Sequence, residues 1–277
     1  MKGFDFGSRT YVMGILNLTP DSFSGDGVYK DAGFALERAG RIIKEGADII
    51  DIGGESTRPG ALVVSDEEEI SRVIPVIERL AKKTSVPISI DTRKSEVAIR
   101  ALDKGASIVN DITGLEHDVA MAGVVARYGA GVVIMHIKGE PRTMQKSPVY
   151  EDLIGDILRK ISDLVTRAEA KGIKKENIII DPGIGFGKTY EHNLEILNNL
   201  EVFKTLGSPL LVGASRKSFI GDILGAGPED RMFGTAAAVA VSIMNGADIV
   251  RVHDVRQMKD VAMVTDAIMR KKEKVNV

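Results

Sequence analysis

Eight apolar runs, with a helical pattern between each and the next, predict an α/β fold: a single (β/α)8 TIM barrel with its active site at the C-terminal ends of the strands. Three observations carry that prediction. A small joint recurs, in "KEGADIIDI" at 44, "DKGASIVND" at 103, "RYGAGVVIM" at 127 and "MNGADIVRV" at 244: a helix closed by a C-cap glycine, then an apolar run ending in a polar residue. The runs are apolar throughout rather than alternating, which is what burial of both faces of a parallel sheet requires. Every run also closes on polar or ionisable groups. A doubly wound sheet is the rival architecture, and it falls behind because no dinucleotide-binding loop accompanies the eight units. No low-complexity linker divides residues 1–277, so one domain is expected.

The elements follow in order. Strands are expected near residues 11 ("YVMGILN"), 48, 87 ("VPISID"), 107, 131, 177 ("NIIID"), 209 ("PLLVG") and 248. Helical patterns cover 32–45, 66–83, 95–104, 118–128, 150–171, 191–206, 230–245 and 256–271. Ser65 with Glu68, or Asp66 with Glu69, can form a capping box that opens the second helix, and Pro75 should kink it. The segments after the first two strands, "NLTPDSFSGDGVYKDAG" and "ESTRPGALVVSDEEE", are long and mixed, as binding loops on a barrel are.

Composition removes several classes of function. Lys and Arg number 37 against 39 Asp and Glu, a formal charge of −2, so no general attraction to nucleic acid or anionic membrane is expected. The chain has no cysteine, which excludes disulfides, thiolate catalysis and cysteine-bound clusters. Four histidines with no close pair give little support to zinc. No apolar stretch approaches a membrane span, and "MKGFDFGSRTYVMG" lacks the layout of a signal peptide, so a cytoplasmic location is expected.

The glycine-rich "DPGIGFGKTY" poses a choice between a phosphate cradle and a loop built around Asp181. Counting back from Gly187-Lys188-Thr189, a P-loop would need glycine where Pro182 stands, and Gly183, Gly185 and Gly187 alternate by two instead of following a dinucleotide fingerprint. Asp181 is therefore the functional candidate, with the glycines allowing close approach to a ligand.

The strand ends supply the rest of the rim: Asn17; Glu55, Ser56, Thr57 and Arg58; Asp91; Asn110 and Asp111; His136; Asp181; Ser215, Arg216 and Lys217; Arg251 and His253. Any single Asp or Ser among them could be a helix N-cap, but eight strand ends converging on one rim are harder to explain that way. Asp91, Asn110 and Asp181 offer acceptors and one amide, a set suited to a flat heterocycle with an amino group and ring N–H groups such as a pterin, and Lys217 could answer its carbonyl. Asn17, Arg58, Arg251 and His253 make a second, basic or amide half suited to phosphate or pyrophosphate. His117 and His192 read as hydrogen-bonded structural side chains, His136 is intermediate, its plain reading a buried histidine bracing neighbouring strands, and Phe23 and Pro59 could wall a second substrate.

Together, "GILNLTPDSFS", "DIGGESTRPG", "DPGIGFGK" and "SRKSFIG", with "NDITG" and "RVHDV" in place, resemble the dihydropteroate synthase family from Gly14 to about Asp254. That resemblance implies condensation of 6-hydroxymethyl-dihydropterin pyrophosphate with 4-aminobenzoate, with loss of pyrophosphate. It implies pterin contacts from Asp91, Asn110, Ile112, Met135, Asp181, Phe186, Gly213 and Lys217. It places Asn17, Thr57, Arg58, Arg251 and His253 at the pyrophosphate, Asn17 with Mg²⁺, and Phe23, Pro59, Phe186, Lys217 and Ser218 around the aminobenzoate. Lys217, Asp91, Asp181, Arg251, His253 and Asp21 are the implied catalytic set, an SN1-like course the implied mechanism, and a homodimer through the late helices the implied assembly. One departure is visible: the family commonly reads Phe-Ser-Asp-Gly-Gly where this chain has "FSGDG", so Asp26 is left out of the site and Asp21 kept. Three other readings stand beside this one: a methyltetrahydrofolate-dependent corrinoid methyltransferase, a Schiff-base aldolase using Lys217 covalently, and a pterin-binding protein without catalysis.

Overall fold

The computed structural model describes residues 3–19, 32–57 and 60–270. Eight strands alternate with helices: β1 (Tyr11–Asn17), β2 (Ile49–Gly53), β3 (Ile88–Asp91), β4 (Ile108–Asp111), β5 (Gly131–Met135), β6 (Ile178–Asp181), β7 (Leu211–Val212) and β8 (Ile249–Val252). All pair in parallel, in the order β6-β5-β4-β3-β2-β1-β8-β7. A bridge between Ile180 and Leu210, with Ile180 N donating to Pro209 O at 2.9 Å, closes β6 onto β7 and makes the sheet a barrel.

Alternation along each strand divides the apolar side chains into two cores. Val12, Ile50, Ile52, Ile88, Ile90, Val109, Val132, Ile134, Ile178, Ile180, Val212 and Val250 pack outward against the helices. Tyr11, Met13, Ile49, Ile108, Val133, Ile179, Leu211 and Ile249 form a separate cluster that fills the barrel's lower interior. Phe4 and Phe6 pack against that cluster, both edge-on to Tyr11 with ring centroids 4.9 and 5.5 Å away. The strands are apolar throughout because both faces are buried, each by a different core.

The helices are α1 (Ala32–Lys44), α2 (Asp66–Ala81), α3 (Ser95–Asp103), α4 (Met121–Tyr128), α5 (Leu153–Ala170), α6 (Tyr190–Asn198), α7 (Ser218–Leu224), α8 (Met232–Met244) and α9 (Val255–Arg270). The four joint glycines, Gly46, Gly105, Gly129 and Gly246, all have positive φ. At Gly129 the left-handed residue caps α4 and its N–H closes on the Ala126 and Val125 carbonyls. Ser65 caps α2 by accepting from Glu68 N at 3.2 Å. Glu68 instead pairs with Arg72 and Glu69 with Lys94, so neither box forms in full. The helix continues through Pro75.

Several elements differ from the periodic reading. The pattern 191–206 is two elements, α6 and a 3-10 stretch from Leu200 to Leu206, because the Asn199 side chain turns back to the Glu195 carbonyl and the buried Leu200 and Phe203 follow at a spacing of three. α4 starts at 121 rather than 118, since Asp118 takes the Ala120 N–H into a turn. α7 lies outside the helical patterns named above: it is short and contains Gly221, whose Cα is so close to the Arg231 guanidinium that an added Cβ would stand 2.3 Å from it.

Candidate active site at the barrel mouth

On four strands the inward face changes character two residues above the apolar floor. Ile49 gives way to Asp51, Ile108 to Asn110, Ile179 to Asp181 and Ile249 to Arg251, each one full pleat further along. Parallel register then sets these groups side by side: Asp91 is opposite Asn110 and Gly53, and Asp181 opposite Met135.

At the centre stands Arg251. Its Nε donates to Asp51 Oδ2 at 2.6 Å and its Nη2 to Asp91 Oδ2 at 2.6 Å, while Asn110 Nδ2 donates to the same Asp51 Oδ2 at 3.0 Å. This corrects the division of the rim into an acidic and a basic half. The guanidinium lies between two carboxylates because two buried acids that close would repel, and a fork of N–H donors relieves both. Burial pushes the Asp91 carboxyl upward while Arg251 opposes it. Burial works against the charge on Arg251, and Asp51 and Asp91 more than offset it, so its proton is held more firmly than usual. Asp91 does not cap the following helix: the N-cap of α3 is Lys94, without a side-chain bond. Asp51 is the residue that sequence reasoning missed. Its signal in the sequence is an acid inside an otherwise apolar strand, which falls within the repeated joint.

Asp181 is buried at the end of β6, where Oδ1 accepts from Gly183 N at 2.7 Å. Burial raises its carboxyl to about 6, against the Gly183 bond and the nearby Lys217 and Lys188 charges. The loop that follows is threaded through left-handed glycines, with φ of 73° at Gly183, 81° at Gly185 and 65° at Gly187. A Cβ at Gly183 would sit 1.9 Å from the His136 carbonyl oxygen, and one at Gly185 2.9 Å from Cδ of Lys217. The loop is thereby pressed against β5 on one side and Lys217 on the other. Lys217 Nζ lies 4.0 Å from the centroid of the Phe186 ring, and burial lowers its ammonium to about 8. Ile112 and Met135 are buried, and Gly213 lies at the end of β7 with Arg251 as its nearest neighbour.

Lys217 reaches this position through strain. Arg216 before it has φ of 58°, and its guanidinium turns away to Asp254, at 3.1 and 2.7 Å, and to Glu229. Arg231 fixes the Arg216 carbonyl. Arg216, one of the strand-end residues, therefore braces the loop rather than facing the mouth. Glu55 does the same for the second loop by pairing with Arg93 and accepting from Val64 N. Asp111 turns outward to cap Thr113 and Leu115.

His253 stands beside Ser215, Nδ1 to Oγ 3.0 Å, and burial with the Arg251 charge lowers it to about 3, so its ring is neutral at pH 7. Asn17 ends β1 with its Oδ1 towards Gly53, where an added Cβ would be 3.6 Å away. Thr57 is partly exposed in the second loop and Ser218 is exposed as the first residue of α7. Asp21, Phe23, Arg58 and Pro59 lie outside the described residues, as do Gly25 and Asp26. His192 closes a capping box with Thr189 on α6.

The barrel mouth thus gathers acids, an amide, a lysine and an arginine, and residues 13–253 match the model of the pterin binding enzyme family. The chain belongs to the pterin-binding enzymes. It is 51% identical over 270 residues to the dihydropteroate synthase of Bacillus subtilis, an alignment that spans 98% of this chain and 92% of the relative. Among solved structures, a dihydropteroate synthase from Xanthomonas albilineans with 4-aminobenzoic acid superposes with a TM-score of 0.88 at 42% identity, covering 94% of this chain and 93% of that one. The same organism's enzyme in complex with 7,8-dihydropteroate gives 0.85 at 40% identity, covering 94% of each. This member of the pterin-binding enzymes is accordingly a transferase of folate biosynthesis, which sets aside the corrinoid, aldolase and non-catalytic readings. Among its described residues, no helix is long and apolar enough to cross a membrane.

Proposed function

We propose that the protein joins 6-hydroxymethyl-7,8-dihydropterin pyrophosphate to 4-aminobenzoate, releasing pyrophosphate and 7,8-dihydropteroate, in the cytoplasm. The observation that carries this reading is a buried carboxylate, Asp181, close enough to Lys217 to feel its charge, with Lys217 against the Phe186 ring, beside the Arg251 fork on Asp51 and Asp91. The relatives solved with 4-aminobenzoic acid and with 7,8-dihydropteroate supply the two chemical names.

On this reading Asp181 accepts from the ring N–H and amino group, Asn110 supplies an amide, and Lys217 donates to the ring carbonyl. As the C–O bond to pyrophosphate breaks, positive charge spreads into the pterin, and Asp91 and Asp181 lie where they favour it. Arg251 and the neutral His253 face the departing diphosphate. Arg251 exchanges part of its hold on Asp91 for the substrate as the ring enters. Phe186 and Lys217, with Ser218 at the start of α7, border the aminobenzoate, and Thr57 reaches the diphosphate from the second loop. Asp21, Phe23, Arg58 and Pro59 keep the roles assigned to them by sequence.

Among the described residues no cluster of three or more acids or histidines could hold a metal on its own. Asn17 fits Mg²⁺ in a different way, because that ion takes few protein ligands and completes its shell with phosphate oxygens and water. When bound, Mg²⁺ would draw charge from the leaving diphosphate. The late helices support a homodimer: Ile223 and Leu224 on α7, Phe233 on α8, and Met263, Val264 and Ile268 on α9 are apolar and exposed, and α8 packs beside both α7 and α9. Sedimentation of the protein as a monomer at micromolar concentration would remove that part.

The central test is release of pyrophosphate with both substrates, with and without magnesium. An SN1-like course predicts that labelled pyrophosphate exchanges into the pterin substrate when aminobenzoate is left out. Release that strictly requires aminobenzoate, with no exchange, would overturn the stepwise mechanism while leaving the overall reaction in place.

A further inference from the structure

The Gly-Lys-Thr at the end of the glycine loop is not absorbed by the reaction just described, yet Lys188 is among the most enclosed charged residues of the protein, with 2% of its surface exposed. Its Nζ is 3.0 Å from His136 Nδ1, 3.4 Å from the His136 carbonyl and 2.9 Å from the Phe186 carbonyl. An ammonium has three N–H donors and no acceptor. Here three acceptors meet it, so none of its hydrogens remains for a phosphate. His136 is suited to accept: burial, and then the Lys188 charge, hold its ring far below the usual histidine value, at about 2.

We propose that Lys188 is a positioning residue for pterin recognition, its enclosed ammonium clamping the loop that carries Asp181 and Phe186 to the end of β5. The inference rests on the pterin reading above and extends it to a side chain that touches no substrate. Nζ lies 3.3 Å from where a Cβ on Gly183 would stand, and Gly183 N is the donor that orients the Asp181 carboxylate. The Phe186 carbonyl it holds belongs to the residue whose ring faces Lys217. Other bonds fasten the same loop from outside: Gln145 Nε2 to Gly185 O at 2.7 Å and Tyr150 OH to Gly187 O at 2.8 Å. His136, Lys138 and Tyr150 also border an open surface hollow of about 610 Å3 beside the loop. Burial lowers the Lys188 ammonium to about 7, partly offset by Asp181, which keeps the clamp charged on the acid side of neutrality.

The test is Lys188→Met, which keeps the stem and removes the three donors. Removing hydrogen bonds to a charged group should raise KM for the pterin pyrophosphate roughly tenfold or more, with kcat changed about threefold or less. Wild-type pterin KM is expected to rise above about pH 7, where Lys188 loses its proton, and that rise should be absent in the variant. A merely structural lysine would lower thermal stability and leave the pterin KM and its pH dependence as in wild type, and that result overturns the proposal. If Lys188→Met does not fold, Gln145→Ala, on an exposed residue, loosens the same loop from outside. A rise of about threefold in pterin KM supports the clamp, and an unchanged KM overturns it. Wild-type protein that fails to release pyrophosphate would instead refute the proposed reaction; pterin binding, followed by its fluorescence, still tests the clamp in that case.

Discussion

The floor and the mouth of this barrel are built on the same strands, one pleat apart, and they answer opposite demands. The floor, from Tyr11 and Met13 to Ile249, is a fully buried apolar cluster that can do nothing but pack. The mouth, from the fully buried Asp51 to the half-buried Asp91 and Arg251, holds charges that are expensive unless paired. Stability is concentrated in one layer and chemistry in the next, and substitutions two residues apart on one strand should separate them.

The sharpest separation is on β6. Asp181→Ala should lower kcat/KM for the pterin substrate by about 100-fold or more, the loss of charge-assisted hydrogen bonds, while the melting temperature stays level or rises because a buried carboxyl is gone. Ile179→Ala, one pleat below, should do the reverse: a loss of about 2–5 kcal/mol of stability by denaturant unfolding, with kcat/KM of the folded enzyme within about threefold of wild type. If both variants lose activity and stability together, floor and mouth are one cooperative unit and the comparison fails.

Asp51 tests whether the boundary is sharp. It is fully buried, holds Arg251 and Asn110 through Oδ2, and its Oδ1 has no partner among the described residues. Asp51→Asn takes one of the two counter-charges from Arg251. The expected result lies between the extremes, about 3 kcal/mol of stability lost and, as Arg251 and Asn110 shift, a pterin KM about tenfold higher. Loss of stability with kinetics unchanged would assign Asp51 to the floor.

The fold was legible because burial on both sheet faces and the glycine joints are local patterns, repeated until eight units could be counted. The rim was legible because a barrel sends every strand's C-terminal end to one place, which brought Asp91, Asn110, Asp181, Lys217, Arg251 and His253 together without any pairwise information. What sequence could not supply was direction. Arg216 and Arg251 both follow apolar runs, yet a left-handed backbone turns one out to Asp254 while strand parity turns the other in to Asp51 and Asp91. Asp51 was hidden for the same reason. Inward parity is evident only once the register of β1, β2 and β8 is known.

The smallest effect comes from protons rather than substitutions. Burial shifts the Asp91 and Asp181 carboxyls upward, Asp181 to about 6, whereas an exposed aspartate titrates near 4. Below about pH 6 the Asp181 carboxyl takes up a proton and loses the acceptor that a ring N–H needs, so kcat/KM for the pterin substrate should fall about tenfold per unit on that limb. The linkage has the opposite sign for stability. A carboxyl raised in the folded state binds more protons there than in the unfolded chain between about pH 4 and 6, so Asp181 stabilises the fold as pH falls through that window and costs stability above it. Activity and the Asp181 contribution to stability should therefore move in opposite directions across the same interval. The contribution is read by comparing wild type with Asp181→Asn in denaturant at pH 4, 5 and 6. An acid limb near pH 4, with no difference in slope between the two proteins, would mean that the carboxylate is solvated in the working enzyme and that the mouth is far less enclosed than the floor beneath it.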